Sequence, residues 1–208
     1  MKSLLYSIVS EDTLKLMLDT FFACMQLPIQ IIDSQGDYLD GSGQTSSFCH
    51  CFQQYLPASD TCEKMHASAS KKAISLGEPY IFACHANLNH IVFPLITKKT
   101  FLGSILAGPF LMDSPDSILI SDLVKKYNIS TDQALELYDE TENLPIISPA
   151  RVNHISHLLF YMFANLIEGS KEELNHNHHK LLQQSLINES IQRRSEEHTE
   201  LQSPDHLV

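Results

Sequence analysis

Four of the five cysteines of this 208-residue chain lie between positions 49 and 84. They are Cys49, Cys51, Cys62 and Cys84, and Cys84 is followed directly by His85. Thiolates and imidazoles bind zinc and iron–sulfur clusters, so several of these side chains could converge on a metal. We expect such a site to use Cys49, Cys62 and Cys84, although no pair has the Cys-x2-Cys spacing typical of structural zinc.

The alternative interpretation is that these cysteines are ordinary buried side chains. A free thiol packs as a small hydrophobic group, and in a reducing compartment it stays unpaired. Cys62 falls in the first turn of a predicted helix, where we expect the helix dipole to lower its thiol pKa. It would be the nucleophile of a Cys–His enzyme, but no third orienting group or oxyanion hole is evident. The sequence therefore favours a protein that is not an enzyme.

Charge and hydropathy exclude several classes of function for this chain. The formal net charge of −11 argues against a surface that follows a nucleic-acid backbone. No apolar run reaches the roughly 20 residues that a membrane-spanning helix needs. The N-terminal segment has one lysine and a short apolar run without a small-residue cleavage site, so we expect no signal peptide. These features predict a cytoplasmic protein that contacts neither membrane nor nucleic acid through this chain.

Hydrophobic periodicity predicts the elements that must position the cysteines. Helices are expected over residues 11–26, 48–56 and 59–77, a hairpin over 29–39, and strands over 80–84, 90–96 and 101–108. Ser10 is the expected N-cap of the first helix and Ser59 that of the third. Strands this close in sequence pair antiparallel, and the helices between them must cover one face of the sheet. The sequence predicts an α+β domain with a five-stranded antiparallel sheet.

A second set of helices is expected after the sheet. Two fall between residues 113 and 139, and a long helix begins at Pro149 with Val152, Ile155 and Leu159 on its apolar stripe. This stripe narrows to a seam, which predicts a dimerisation helix over residues 149–193. The alternative is a solvated terminal helix that frays. Residues 194–208 resemble the translation of a sequencing adapter, so we expect them to be a non-native tail and the native output domain to be missing.

The strands and the turn that follows them combine apolar residues with a few polar groups. His85, Asn87 and Ser104 are the polar members, and Phe93 is apolar. An apolar surface with a small number of polar groups is typical of a small-ligand pocket. A filled core without a cavity is the alternative.

Several short motifs follow one another in a characteristic order along the chain. They are Phe48 with Cys49, Cys62, Ala73 with Gly77-Glu-Pro79, Cys84-His-Ala-Asn-Leu88, Pro94 with Ile96, Leu102 with Gly103, and Ala107 with Gly108. This succession resembles the PocR sensory domain over residues 14–161. The resemblance implies a PAS-like sheet with helices on one face, followed by a long signalling helix.

The resemblance also implies a function and a set of residues. Such domains sense small organic molecules such as diols, at the N-terminus of bacterial AraC-type regulators or in histidine kinases. The positions that carry over are Cys49, Cys62, Cys84, Ala86 and Leu88. The family usually has glycine where this chain has an asparagine at position 87; since asparagine tolerates positive φ, we expect that turn to survive.

These observations predict a sensor domain at residues 1–148, with its core at about 11–112, that passes a signal through the helix at 149–193. A small organic effector is expected between the sheet and the helices of residues 47–77, and DNA is expected to bind to the missing output domain. The predicted ligand-binding residues are Cys49, Cys62, Cys84, His85, Ala86, Asn87, Leu88, Phe93 and Ser104. A zinc or iron–sulfur redox sensor built on the three motif cysteines, and the sensor of a histidine kinase, are the alternatives.

Overall fold

Twelve short elements make up the part of the chain that the computed structural model describes, residues 4–97, 100–113 and 117–164. A single 3-10 turn, Leu4–Ser7, precedes α1. The helices are α1 (Glu11–Met25), α2 (Ser47–Gln53), α3 (Cys62–Leu76), α4 (Ser117–Tyr127), α5 (Thr131–Thr141) and α6 (Pro149–Ala164). The strands are β1 (Ile29–Asp33), β2 (Tyr38–Ser42), β3 (Tyr80–Ala83), β4 (Asn89–Thr97) and β5 (Thr100–Phe110).

The five strands form one sheet in the order β2-β1-β5-β4-β3, and every neighbouring pair is antiparallel. β5 is central: it pairs with β1 from Ala107 opposite Ile29 to Gly103 opposite Asp33, and with β4 on its other side. This confirms the α+β class and the PAS-like antiparallel sheet that the sequence and the resemblance predicted.

Helices cover both faces of this sheet, whereas the sequence and the resemblance predicted them on one face. Val92 of β4 packs with Ala69 and Ala73 of α3, as predicted for the helices that lie between the strands. The next residue, Phe93, contacts the ring of Phe160 in α6. Because successive side chains of a strand point to opposite faces, α3 and α6 lie on opposite sides of β4.

A second cluster of buried side chains joins α2 to the helices that follow the sheet. Phe48 and Phe52 of α2 pack there with Leu88 from the turn before β4 and with residues of α4 and α5. The Phe52 ring meets Tyr127 of α4 edge to face, with centroids 5.2 Å apart. This cluster holds α2 at one end of the sheet. The opposite side of α2 faces β1 and β2.

Local signals explain most of the boundaries. Ser10 caps α1 by accepting a hydrogen bond from the Thr13 amide at 3.2 Å, as predicted. Ser59 is not the cap of α3; the N-cap is Thr61, because residues 57–60 form a turn in which the Asp60 amide donates to the Pro57 carbonyl. β2 also extends to Ser42, beyond the predicted end of the hairpin, since Gly41 and Ser42 continue the pairing with β1.

The C-terminal prediction is only partly within the described chain. α6 begins at Pro149 as expected and buries Val152, Ile155 and Leu159. The continuation of this helix to residue 193 and the tail at 194–208 lie outside the described residues. No helix in the described ranges is long and apolar enough to cross a membrane.

Candidate ligand cavity

A cavity of about 370 Å³ lies between the sheet and the helices α2 and α3. One wall comes from β1, β2 and the ends of β4 and β5, and the other from the facing sides of the two helices. Its polar and sulfur-bearing lining residues are Gln30, Tyr38, Ser42, Thr45, Cys49, Gln53, Cys62, Glu63, His66, Cys84 and His90. Its volume is within the range of small-ligand sites, roughly 300–1,000 Å³. The location is the one that the sequence predicted for an effector.

Three thiols that are far apart in sequence meet at this cavity. Cys49 comes from α2, Cys62 is the first residue of α3, and Cys84 directly follows β3. Burial, followed by electrostatic interaction with Cys84 and Cys62, raises the pKa of Cys49 to about 12. Burial also raises the pKa of Cys84. These thiols are therefore protonated and uncharged at neutral pH.

The prediction that the helix dipole would lower the pKa of Cys62 was wrong. Cys62 does begin α3, but burial, followed by the charges of Cys84 and Glu63, raises its pKa to about 11. The cost of placing a thiolate in an apolar environment exceeds the stabilisation from the helix terminus. Cys62 is thus a poor nucleophile at neutral pH.

The cavity thiols do not fit a metal centre. Across residues 4–97, 100–113 and 117–164, no group of three or more His, Cys, Asp or Glu side chains is arranged to hold a metal ion. Zinc and iron–sulfur sites need several thiolate or imidazole ligands that converge at bonding distance. The geometry gives no support to the metal-binding role predicted for Cys49, Cys62 and Cys84.

Two histidines in the cavity wall were missed by sequence reasoning. His66 and His90 have ring centroids 5.4 Å apart, and the ring of His90 stacks on Phe82 at 5.3 Å. Burial lowers the pKa of His66 to about 4 and that of His90 to about 3, so both imidazoles are neutral at physiological pH. Spacing gives part of the signal for these two residues. His66 is four residues after Cys62 on one helix face, and His90 shares a strand face with Val92.

One carboxylate stands beside the histidines. Glu63 lines the cavity, and a hydrogen bond from the Thr61 side chain, together with its own backbone amide, lowers its pKa. It is therefore ionised at neutral pH. The cavity as a whole offers neutral thiols, imidazoles and amides with a single negative charge, an environment suited to a small uncharged polar molecule.

The structure places the remaining predicted ligand residues elsewhere. Ala86 and Leu88 are buried in the cluster with α2, α4 and α5, and Phe93 lies on the opposite face of the sheet. Ser104 is fully buried, and its hydroxyl has no hydrogen-bond partner among the described residues. Since none of these four lines the cavity, their contact with an effector stays a prediction.

The turn after β3 holds the last two predicted residues. Asn87 is exposed and adopts a positive φ of 57°, and its amide donates to the Cys84 carbonyl at 2.9 Å. Asparagine thus supports this turn, as expected. His85 is buried, with Nε2 3.4 Å from an Asp60 carboxylate oxygen but without hydrogen-bond geometry. These two residues shape the turn that carries Cys84.

A second cavity, of about 650 Å³, lies on the other side of residues 41–43 and is lined by Lys15, Phe22 and Gln26 of α1. It shares Pro28 and Pro109 with the first cavity but contains none of the motif cysteines. Lys15 is already engaged there, with its Nζ 2.7 Å from the Gly41 carbonyl and 3.3 Å from Asp19. The first cavity is therefore the better candidate site.

Comparisons with known proteins agree with the motif order. A family described as the sensory domain found in PocR matches residues 7–171. The chain is also similar to the regulatory protein PocR of Salmonella typhimurium, with 24% identity over 169 residues that cover 81% of this chain and 54% of that protein. The chain thus spans about half the length of this curated relative.

Proposed function

The chain belongs to the family of the sensory domain found in PocR, and from this premise we propose that its cavity binds a small organic effector that controls a transcription regulator. The observation that carries the proposal is the convergence of Cys49, Cys62 and Cys84 on one cavity of about 370 Å³. These are the cysteines of the motifs on which the resemblance rests. The chain's role in this proposal is to recognise a molecule, with no catalytic step.

The size and chemistry of the cavity support a small, uncharged effector. A water molecule occupies roughly 30 Å³ in the liquid, so the cavity has the volume of about a dozen waters. A diol, polyol or comparable molecule of a few carbon atoms fits this volume. Because the thiols and imidazoles of the wall are neutral, they recognise such a molecule by hydrogen bonds and apolar contact rather than by charge.

Signal transmission is proposed to run through β4 to α6. His90 contributes to the cavity on one face of β4, and Phe93 contacts Phe160 of α6 on the other. An effector that favours one arrangement of β4 would therefore also favour one position of α6. A ligand shifts such an equilibrium only by its difference in affinity for the two states.

The output is proposed to be an AraC-type DNA-binding domain outside this chain, in a cytoplasmic regulator. The relative with 24% identity is named a regulatory protein and extends well beyond the matched region, which is consistent with a further domain. The net charge of −11 argues that DNA binds to that domain and not here. We also propose that the chain dimerises through residues 149–193. A monomer mass for the full chain in a sedimentation equilibrium experiment would contradict this dimer.

A thermal-shift screen tests the proposed function. Short diols, polyols and aldehydes are titrated against the purified chain, and we expect at least one class to raise the melting temperature in a saturable manner. A matched screen with Cys49→Leu, which fills part of the cavity without adding charge, should lose the shift. A cooperatively folding protein that no compound stabilises would contradict a small-effector site.

A further inference from the structure

Two histidines that the family motifs do not include face the cavity from different walls. His66 projects from α3 and His90 from β4, and their rings lie 5.4 Å apart between centroids. His90 is only 4% exposed. A buried imidazole is normally hydrogen-bonded through both nitrogens, so the partners of each nitrogen decide what this pair can do.

One nitrogen of His90 is used by the backbone. Its Nδ1 lies 3.3 Å from the Leu88 carbonyl oxygen. A carbonyl oxygen can only accept, so Nδ1 carries the proton and Nε2 of the neutral ring carries the acceptor lone pair. The ring is fixed further by stacking on Phe82, whose centroid lies 5.3 Å away. His90 therefore presents an oriented hydrogen-bond acceptor.

The charges around the pair restrict what can bind to it. Burial keeps His66 neutral, with its pKa lowered to about 4, and the charge of Glu63 opposes this effect without reversing it. A neutral imidazole has no positive charge for an anion, and the Glu63 carboxylate at the same cavity repels one. The acceptor on His90 instead requires a donor such as a hydroxyl group.

We propose that His66 and His90 are the specificity-determining residues of the cavity, and that an uncharged effector is held by a hydroxyl group that donates to Nε2 of His90. His66 provides the second polar contact from α3. This inference rests on the proposed function, because it assigns recognition within the same cavity. It predicts that the pair distinguishes hydroxyl donors from the corresponding ethers, which lack a hydroxyl.

Two substitutions of His90 separate recognition from structure. The amide of His90→Asn reaches the position of Nδ1 and can still donate to the Leu88 carbonyl, but it leaves nothing at Nε2. The amide of His90→Gln reaches the position of Nε2 and keeps an acceptor there. His66→Phe keeps the ring contacts with Phe82 and His90 while removing both nitrogens.

The experiment measures calorimetric binding of ethylene glycol, propylene glycol and glycerol, and of their fully O-methylated ethers, which have no hydroxyl donor, to the full chain and the three variants. We expect His90→Asn to weaken diol binding at least tenfold and His90→Gln to retain most of it. We also expect methylation of the hydroxyl to weaken binding to the wild type but not further to His90→Asn. Melting temperatures without diol show whether each variant folds. If His90→Asn does not fold, the binding measured for His66→Phe decides the question.

The outcomes distinguish the two proposals. If the wild type binds a diol and both His90→Asn and His66→Phe bind it within twofold of the wild type, the histidine assignment is overturned and the sensing function stands. If the folded wild type binds none of the diols or polyols, the proposed effector class fails and the histidine assignment fails with it.

Discussion

The rings of Phe93 and Phe160 meet edge to face, with centroids 6.2 Å apart and an interplanar angle of 87°. Phe93 lies on β4 and Phe160 on α6, and both are buried. This contact joins the C-terminal helix to the strand that carries His90 on its other face. An arrangement of this kind links the cavity to α6 through a single strand.

Phe160→Ala should therefore destabilise the domain. Removing a buried phenylalanine typically costs about 3–5 kcal/mol, and the lost aromatic pair adds about 0.5–1.5 kcal/mol. Urea unfolding measures the change, with Leu135→Ala on α5 as the control because Leu135 is 60% exposed. Equal stability of the two variants would contradict the packing of α6 on β4.

Alkaline pH should destabilise the fold through the cavity thiols. Their pKa in the unfolded chain is near 9.0, whereas burial raises it to about 12 for Cys49 and about 11 for Cys62. A raised pKa means that the folded state holds the proton more tightly, so this stability is complete below pH 9 and is lost as the pH rises towards 12.

Unfolding measured between pH 8 and 11 tests the alkaline effect. A Cys49→Ala variant should show a shallower decline than the wild type, and Cys24→Ala, at an exposed cysteine, should not. Parallel slopes for all three proteins would mean that the Cys49 thiol is not desolvated.

Acid should also destabilise the fold, through the histidine pair. Burial lowers the pKa of His90 to about 3 and of His66 to about 4 from an ordinary value of 6.5. A depressed pKa means that the unfolded chain binds protons first, so this stability is present above pH 6.5 and is lost as the pH falls towards 3.

The acid effect is checked with His90→Phe, which keeps an aromatic ring against Phe82. The slope of the unfolding free energy against pH, measured between pH 4.5 and 6.5, gives the number of protons taken up on unfolding. This number should decrease by about one in the variant. His154→Phe, at an exposed histidine, is the matched control. If the two variants showed the same pH dependence, the buried and neutral state of His90 would be refuted.

Gly103→Ala should be more damaging than Gly77→Ala, although both glycines have positive φ. A Cβ at Gly103 would lie 2.3 Å from the Ile32 carbonyl oxygen in the adjacent strand, whereas a Cβ at Gly77 would have no atom of the described residues within 4 Å. The change at Gly77 should cost about 1–2 kcal/mol from backbone conformation alone. Thermal unfolding of both variants measures the difference, and a smaller loss at Gly103 would contradict the pairing of β1 with β5.

Sequence patterns determined the elements because local physical chemistry sets them. Alternation and 3.6-residue periodicity predicted all five strands and α1 to α5, and the Ser10 cap and the Pro149 start were also correct. The boundaries at α3 and β2 differed by a few residues, because a turn over 57–60 and continued pairing at Gly41 depend on neighbours that periodicity does not include.

Tertiary structure decided which residues line the cavity. The sequence identified Cys49, Cys62 and Cys84 from their motifs, and all three line the cavity. Phe93, also predicted to contact the ligand, does not line this cavity and packs against Phe160 of α6. It also missed His66 and His90, since facing one cavity depends on how α3 lies across β4.

Tertiary structure also decided the protonation states of the cavity side chains. Sequence reasoning expected the helix start to make the Cys62 thiol more acidic, and burial reversed the sign. Local spacing determines which face of a helix or strand carries a side chain. Only the packed fold determines which residues that face contacts and how far it is shielded from solvent. For this protein, the chain itself specified a sheet with a helical cover, and the fold brought three thiols and two imidazoles together as uncharged groups at one cavity.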